Sequence, residues 1–141
     1  MDFAIELVNR AMRILERIYE EREDPVVERQ FMIANATLGR LLLAVHQPED
    51  GMITFETVLG LLQDGDELKG VLETQAKLGI AMGQTTLRDL QEAVLSLQYA
   101  QRVAPDDIKL KGQCSILLAQ TLWLTRDPEY CELAKEELLK L

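Results

Sequence analysis

Apolar side chains recur along this chain at steps of three and four residues, the spacing that places them on one face of an α-helix. In the first helix, predicted over about 3–23, seven residues form this face: Phe3, Leu7, Val8, Ala11, Ile14, Leu15 and Ile18. The same periodicity predicts six more helices, over about 25–45, 49–62, 66–82, 86–103, 106–125 and 128–141. Because the links are short, consecutive helices are expected to form antiparallel hairpins. The pattern therefore predicts an all-α protein of about seven helices.

Aspartate and glycine mark several of the predicted helix ends. Asp24 and Asp127 each precede a proline. This pair suits a helix start, because aspartate caps free backbone N–H groups and proline is tolerated in the first turn. Gly65 is expected to end the third helix, since glycine readily adopts the left-handed conformation found after helices. Asp66 is then expected to cap the fourth helix.

The fourth and fifth helices are predicted to be separated by a polar stretch, residues 83–86. Thr86 and Asp89 have the three-residue spacing of a capping box, which places the start of the fifth helix there. Pro105 ends that helix, because the residue before a proline is disfavoured in helical geometry. Asp106 and Asp107 open the sixth helix.

An internal repeat with a step of 40 residues runs through the chain. A leucine followed by a small residue occurs three times at that step, as Leu38-Gly39, Leu78-Gly79 and Leu118-Ala119. An apolar residue lies four positions after each leucine, at Leu42, Met82 and Leu122. The small residue is expected to let a neighbouring helix approach closely, and the large pair one turn apart to fill the space above it.

The helix that follows each of these leucine pairs carries a triplet with spacings of four and then three residues. Its first two examples are Gly51, Phe55, Val58 and Ala93, Leu97, Ala100. The first helix shows the same spacing at Ala4, Val8 and Ala11. The last helix shows it at Ala134, Leu138 and Leu141, where a register through Cys131 also fits.

One unit of this repeat resembles the tetratricopeptide repeat (TPR) family. Its motif positions are Leu78-Gly79, Met82, Ala93, Leu97, Ala100 and Pro105. TPR units have about 34 residues, so the longer step implies longer helices or loops, and the family's aromatic residue early in the first helix is missing. The resemblance implies one domain over 1–141, a short right-handed TPR-like α-solenoid with units near 25–63, 66–103 and 106–141 and an extra N-terminal helix over 1–23. A generic helical bundle, in which the period is a coincidence, is the alternative.

Charge and composition narrow the function classes. The chain has 24 acidic and 15 basic residues, and a net charge of −9 disfavours binding to nucleic acid. The charge is typical of a helical protein with solvated glutamate-rich faces, and the alternative is a surface that prefers basic partners. The longest apolar run, residues 41–45, is far shorter than the roughly 18 residues of a membrane span. No signal-peptide pattern opens the chain. Cys114 and Cys131 lie among predicted helical residues and resemble small buried hydrophobic side chains. Because nothing in their use implies an oxidising compartment, we expect a cytoplasmic protein.

No catalytic constellation is evident in the sequence. His46, the single histidine, lies in a predicted turn. Cys114 and Cys131 lie 17 residues apart without a CxxC motif or a second histidine, which argues against a zinc site. Gly79 and Gly83 follow no strand and precede no suitably placed lysine, which argues against a phosphate-binding loop. We therefore predict a protein that is not an enzyme and uses no metal or cofactor.

The predicted function is partner binding. In TPR arrays the first helix of each hairpin lines a concave groove that holds peptides or partner helices. The resemblance implies that this face here consists of Ala36, Arg40, Glu73, Lys77, Ile80, Gln84, Gln113, Ile116, Gln120 and Trp123. Most of the clamp by which one TPR subclass holds chaperone C-terminal carboxylates is missing, so that ligand is not expected. Trp123, the only tryptophan, is the best anchor for a partner if exposed. The alternative is that Trp123 packs between helices.

The leading hypothesis is a scaffold or adaptor that binds a peptide or helix of a partner protein. Helical arrays need polar caps at their ends, and neither end of this chain has an obvious one. The chain is therefore expected to belong to a longer array, or to pack its ends on another copy or another protein. The alternatives are a self-associating structural subunit and a small acidic chaperone or regulator of a basic or amphipathic client, whose binding would weaken with salt.

Overall fold

The computed structural model describes residues 2–22, 24–62 and 68–141, and in these residues it contains seven helices and no strand. The helices are α1 (Asp2–Arg22), α2 (Pro25–Ala44), α3 (Pro48–Leu61), α4 (Lys69–Thr86), α5 (Leu90–Val103), α6 (Ile108–Leu124) and α7 (Pro128–Leu139). The predicted all-α class with about seven helices is confirmed.

The aspartate caps form as predicted. The Asp24 carboxylate accepts a hydrogen bond from the backbone N–H of Val26, and Asp127 accepts one from Glu129, both at 2.9 Å. Asp107 caps α6 in the same way. Each carboxylate pairs with a backbone donor that has no partner inside the helix, which is why these helices begin where the sequence indicates.

The predicted turn at 83–86 is wrong, because α4 continues through Thr86. Thr85 and Thr86 donate their hydroxyl hydrogen bonds back to the carbonyl oxygens of Ala81 and Met82, so they are satisfied within the helix. A Cβ on Gly83 would lie 2.7 Å from the Sδ of Met52, so this helical turn packs tightly against α3.

The capping box predicted at Thr86 and Asp89 is also absent. Asp89 precedes α5 without a side-chain cap, and the turn uses Arg88, whose φ is 64°. The predicted helix boundaries at Gly65 and Asp66 lie outside the described residues.

The helices stack as hairpins in two rows. Each helix packs against the next, and α4 also contacts α2 and α6. We call α2, α4 and α6 the inner row, and α3, α5 and α7 the outer row. In the described part of the chain, no outer-row helix contacts another outer-row helix through its backbone, and α1 contacts α2 alone. This arrangement fits a helical repeat, while the unit boundaries stay a prediction.

Phe55 of α3 packs between the first two inner-row helices, α2 and α4. Its ring lies between Gly39 of α2 and Gly79 of α4, and a Cβ on Gly39 would come within 2.7 Å of it, a Cβ on Gly79 closer still. The ring is 1 % exposed. The absence of a side chain at both glycines therefore makes the space that an aromatic ring fills.

The leucines of the repeat, Leu38, Leu78 and Leu118, are all buried in inner-row helices, as are the small residues that follow them. The apolar residue four positions after each leucine was expected to fill space between the helices, and this expectation is wrong at Met82. Leu42 and Leu122 are buried, but Met82 is 45 % exposed. Met82 lies on the open side of α4, where no described helix covers it.

Candidate functional site

A cleft of about 680 Å³ opens among the three inner-row helices. Leu78 and Gly79 of α4 line it, together with Arg40 from α2 and Gln113 and Gln120 from α6. We call this cavity the cleft. Its volume is within the range of small-molecule and peptide pockets.

The cleft combines an apolar lining with a polar margin. Its apolar side chains include Leu43, Met82, Ile116 and Leu117. Its polar side chains are Arg40, Gln75, Thr86, Gln113 and Gln120. No acidic residue is among the described residues that line it, and no described carboxylate lies within ion-pair distance of Arg40. The cleft therefore offers a positive charge and several amides, although the chain as a whole is acidic.

The structure brings only part of the predicted binding face together. Arg40, Gln113 and Gln120 line the cleft. Trp123 is 59 % exposed, so it is not buried between helices. It lines a second cavity at α6 and α7, which shares Ile116 and Gln120 with the cleft.

Glu73, Lys77 and Gln84 lie on the side of α4 that packs against α5. The Tyr99 hydroxyl donates a hydrogen bond of 2.5 Å to Glu73, and the Lys77 ammonium lies 4.7 Å from the centre of the Tyr99 ring. Gln84 accepts a hydrogen bond of 2.8 Å from Ser96. These three side chains already have partners within the hairpin.

Besides Leu78 and Gly79, the residues of α4 that line the cleft are Gln75, Met82 and Thr86. Gln75 is two residues from Glu73, or about 200° around a helix. The sequence analysis did not include this side of α4 in the predicted binding face. The spacing of seven and then four residues from Gln75 to Met82 and Thr86 places them on one face of the helix, and it could have indicated this side.

Tyr99 is the titratable group most affected by this contact between α4 and α5. Its pKa is raised, first because its hydroxyl donates a hydrogen bond to Glu73, and further because of burial and the nearby Glu73 charge. The protonated phenol therefore stabilises the fold below its ordinary pKa of about 10, and that contribution is lost as the pH rises through the raised value.

We expect Glu73→Gln to lower the pKa of Tyr99, since an amide in place of the carboxylate removes the charge that opposes phenolate formation. Ultraviolet absorbance titration can measure this in a chain carrying Tyr19→Phe and Tyr130→Phe, so that Tyr99 is the only phenol. Glu92→Gln in the same chain is the control, because Glu92 is exposed on α5. Equal Tyr99 titration in all three proteins would contradict the hydrogen bond as the cause.

Groups with catalytic potential are spread through the structure. His46 lies exposed in the turn between α2 and α3 with a φ of 63°. Cys114 is fully buried, and burial raises the pKa of its thiol, which makes it a poor nucleophile. Both cysteines are free. No group of three potential metal ligands occurs in residues 2–22, 24–62 and 68–141, and none of the helices described there has the length and apolar character needed to cross a membrane.

The chain is similar to a known protein over nearly its whole length. Over 133 residues, 93 % of this chain, the sequence is 26 % identical to Superkiller protein 3 of Schizosaccharomyces pombe. The matched region is 9 % of that protein, so this chain spans less than a tenth of its relative's length. No family model matches the chain. No solved structure matches it either. The similarity and the all-helical fold together fit a helical repeat family.

Proposed function

We propose that this chain is a non-enzymatic, TPR-like interaction module of the cytoplasm that holds a segment of a partner protein in the cleft. The observation that supports this proposal is the cleft itself, an open cavity bounded by three successive inner-row helices. Stacked hairpins supply a rigid surface of this kind without any catalytic group, because each helix is positioned by its neighbours.

The polar margin of the cleft favours an extended segment. Gln75, Gln113 and Gln120 can each donate and accept hydrogen bonds. An extended backbone has free N–H and C=O groups to pair with them, whereas the backbone groups of a helix are already paired. Apolar side chains of the segment would contact Met82 and Ile116. A carboxylate on the segment would pair with Arg40.

The test begins by selecting peptides from a random library on the full chain and measuring their affinity by calorimetry. We expect Arg40→Glu and Met82→Glu each to weaken binding about tenfold or more, which corresponds to about 1.4 kcal/mol. Arg40→Glu reverses the charge at the margin of the cleft, and Met82→Glu places an unpaired carboxylate in its apolar lining.

Matched controls are Lys109→Glu and Leu95→Glu, because both residues are exposed outside the cleft. Circular dichroism checks that all four variants are folded. If the selected peptides bind the cleft variants and the controls equally well, the cleft is not the binding site.

A further inference from the structure

A smaller cavity, of about 180 Å³, lies beside the cleft among α4, α5 and α6. The two cavities share four lining residues, which are Met82, Thr86, Leu117 and Gln120. The other residues that line the smaller one are Ala81, Thr85, Leu97, Thr121 and Leu124. We call this cavity the threonine pocket. No residue of α7 lines it, so the pocket lies inside the stack of hairpins and not on its last described helix.

The threonine pocket has an exposed mouth and a buried end. At the mouth, Thr86 and Gln120 are exposed, and both also line the cleft. At the other end, Ala81, Leu97 and Thr121 are buried. A side chain that enters from the cleft therefore passes the mouth and reaches the buried hydroxyl of Thr121.

The direction of the hydrogen bonds at the buried end follows from the hydroxyl of Thr85. This hydroxyl donates a hydrogen bond of 2.8 Å to the carbonyl oxygen of Ala81. The hydroxyl oxygens of Thr85 and Thr121 lie 3.3 Å apart. Because a hydroxyl has a single hydrogen to donate, Thr121 is the donor in this pair and Thr85 is the acceptor.

The Thr121 oxygen can therefore accept a hydrogen bond from a ligand. A hydroxyl oxygen has two lone pairs, and within the described part of the chain Thr85 is its one side-chain partner. A buried acceptor without a donor is costly, so a group that enters the pocket gains by donating to it. The other buried residues of the pocket, Ala81 and Leu97, are apolar. The buried end thus suits an apolar body that carries one donor at its tip.

We propose that the threonine pocket binds one tyrosine side chain of the partner segment, with the phenol O–H donating to the Thr121 oxygen. The ring would contact the leucine side chains of the pocket, Leu97, Leu117 and Leu124. This inference rests on the proposed function, because the tyrosine belongs to the segment that the cleft holds. It makes the cleft selective for segments that contain a tyrosine.

Tyrosine matches both the volume and the polarity of the pocket. An apolar cavity of about 150 Å³ can bind benzene, so about 180 Å³ has room for one ring with a hydroxyl group. Serine and threonine carry the donor but would leave most of this volume empty. Phenylalanine would leave the Thr121 acceptor unpaired, and lysine would bury a charge with too few acceptors. Tryptophan carries its N–H on the side of the ring system, whereas the phenol carries its O–H at the tip.

The test uses two small probes on the full chain, p-cresol for the tyrosine side chain and toluene for that of phenylalanine. Binding is followed through the ¹³C-labelled methyl groups of Leu97, because Leu97 lines the pocket and does not line the cleft. We expect p-cresol to shift these signals saturably. If p-cresol leaves them unchanged, the pocket holds only water and the proposal is overturned.

Thr121→Val keeps the shape of the side chain and removes the acceptor. We expect it to weaken p-cresol binding about fivefold or more relative to toluene, the usual effect of one lost hydrogen bond. Continued toluene binding shows that the variant is folded with its pocket intact. The matched control is Thr57→Val, because Thr57 is exposed on α3 outside both cavities. An unchanged ratio of the two affinities in Thr121→Val would contradict the proposed hydrogen bond.

The peptides selected on the cleft supply a second measurement that needs no change in the pocket. Replacing their tyrosine by phenylalanine should weaken binding about fivefold or more on the parent chain, and should have no such effect on Thr121→Val. Peptides that bind the cleft without a tyrosine would overturn this inference and leave the proposed function standing. Arg40→Glu should leave p-cresol binding unchanged, because Arg40 does not line the pocket. The two proposals therefore fail in different measurements.

Discussion

Replacing Phe55 by alanine is expected to lower the free energy of unfolding by about 3–5 kcal/mol, the usual cost of emptying a buried aromatic site. The ring is 1 % exposed and lies between Gly39 and Gly79. Neither glycine has a side chain that could move into the cavity, so the helices α2 and α4 would have to shift to close it. Urea unfolding followed by circular dichroism measures the loss.

The control for this change lies on the same helix. Ile53 is 60 % exposed, and Ile53→Ala removes a similarly large side chain from α3 without opening a cavity. We expect that variant to stay within about 0.5 kcal/mol of the parent chain. Similar losses for the two variants would show that Phe55 does not connect the first two inner-row helices.

Gly79→Ala is expected to destabilise the chain by about 1–3 kcal/mol, as overpacking of a close-packed core does. A decrease in the free energy of unfolding would be informative, because alanine at a helix interior is otherwise favoured over glycine by about 1 kcal/mol. The added Cβ would overlap the Phe55 ring, and the ring cannot retreat because Gly39 holds it from the other side. Thermal unfolding of the purified variant and the parent chain measures the change, as a shift in the midpoint temperature of unfolding.

Gly112→Ala is the matched control, since Gly112 lies inside α6 and a Cβ there meets no atom within 4 Å. This variant should gain up to about 1 kcal/mol from helix propensity alone. Opposite signs for the two glycine substitutions are the expected result. A gain at both positions would contradict the tight contact at Gly79.

The leucine pairs illustrate how far sequence reasoning reached. The three pairs at a step of 40 residues predicted a close approach at the small residue. That approach occurs at Gly39, where a Cβ on Gly51 would lie 3.1 Å from the Gly39 carbonyl oxygen. The pairs did not predict that one ring, Phe55, would fill the space beside both Gly39 and Gly79. Which side chain fills the space between two helices depends on both helices, whereas the apolar periodicity describes one helix at a time.

The α4 helix illustrates the opposite case. Its existence followed from apolar spacing, but its polar residues Glu73, Lys77 and Gln84 were predicted to face a partner and instead bond to α5 or pack on it. Both candidate faces of α4 contain polar residues, so composition does not distinguish them. The choice was made by Tyr99 and Ser96, which come from a different helix.

The sequence by itself determined the helices, most of their starts and the positions that recur in the repeat, because these depend on local backbone geometry and on capping groups within a few residues. The tertiary structure decided the rotation of α4, the site filled by Phe55 and the exposure of Met82 at a position that is buried at Leu42 and Leu122. These features depend on which neighbouring helix is present and which side it covers. That is a property of packing between distant segments, and no local pattern encodes it.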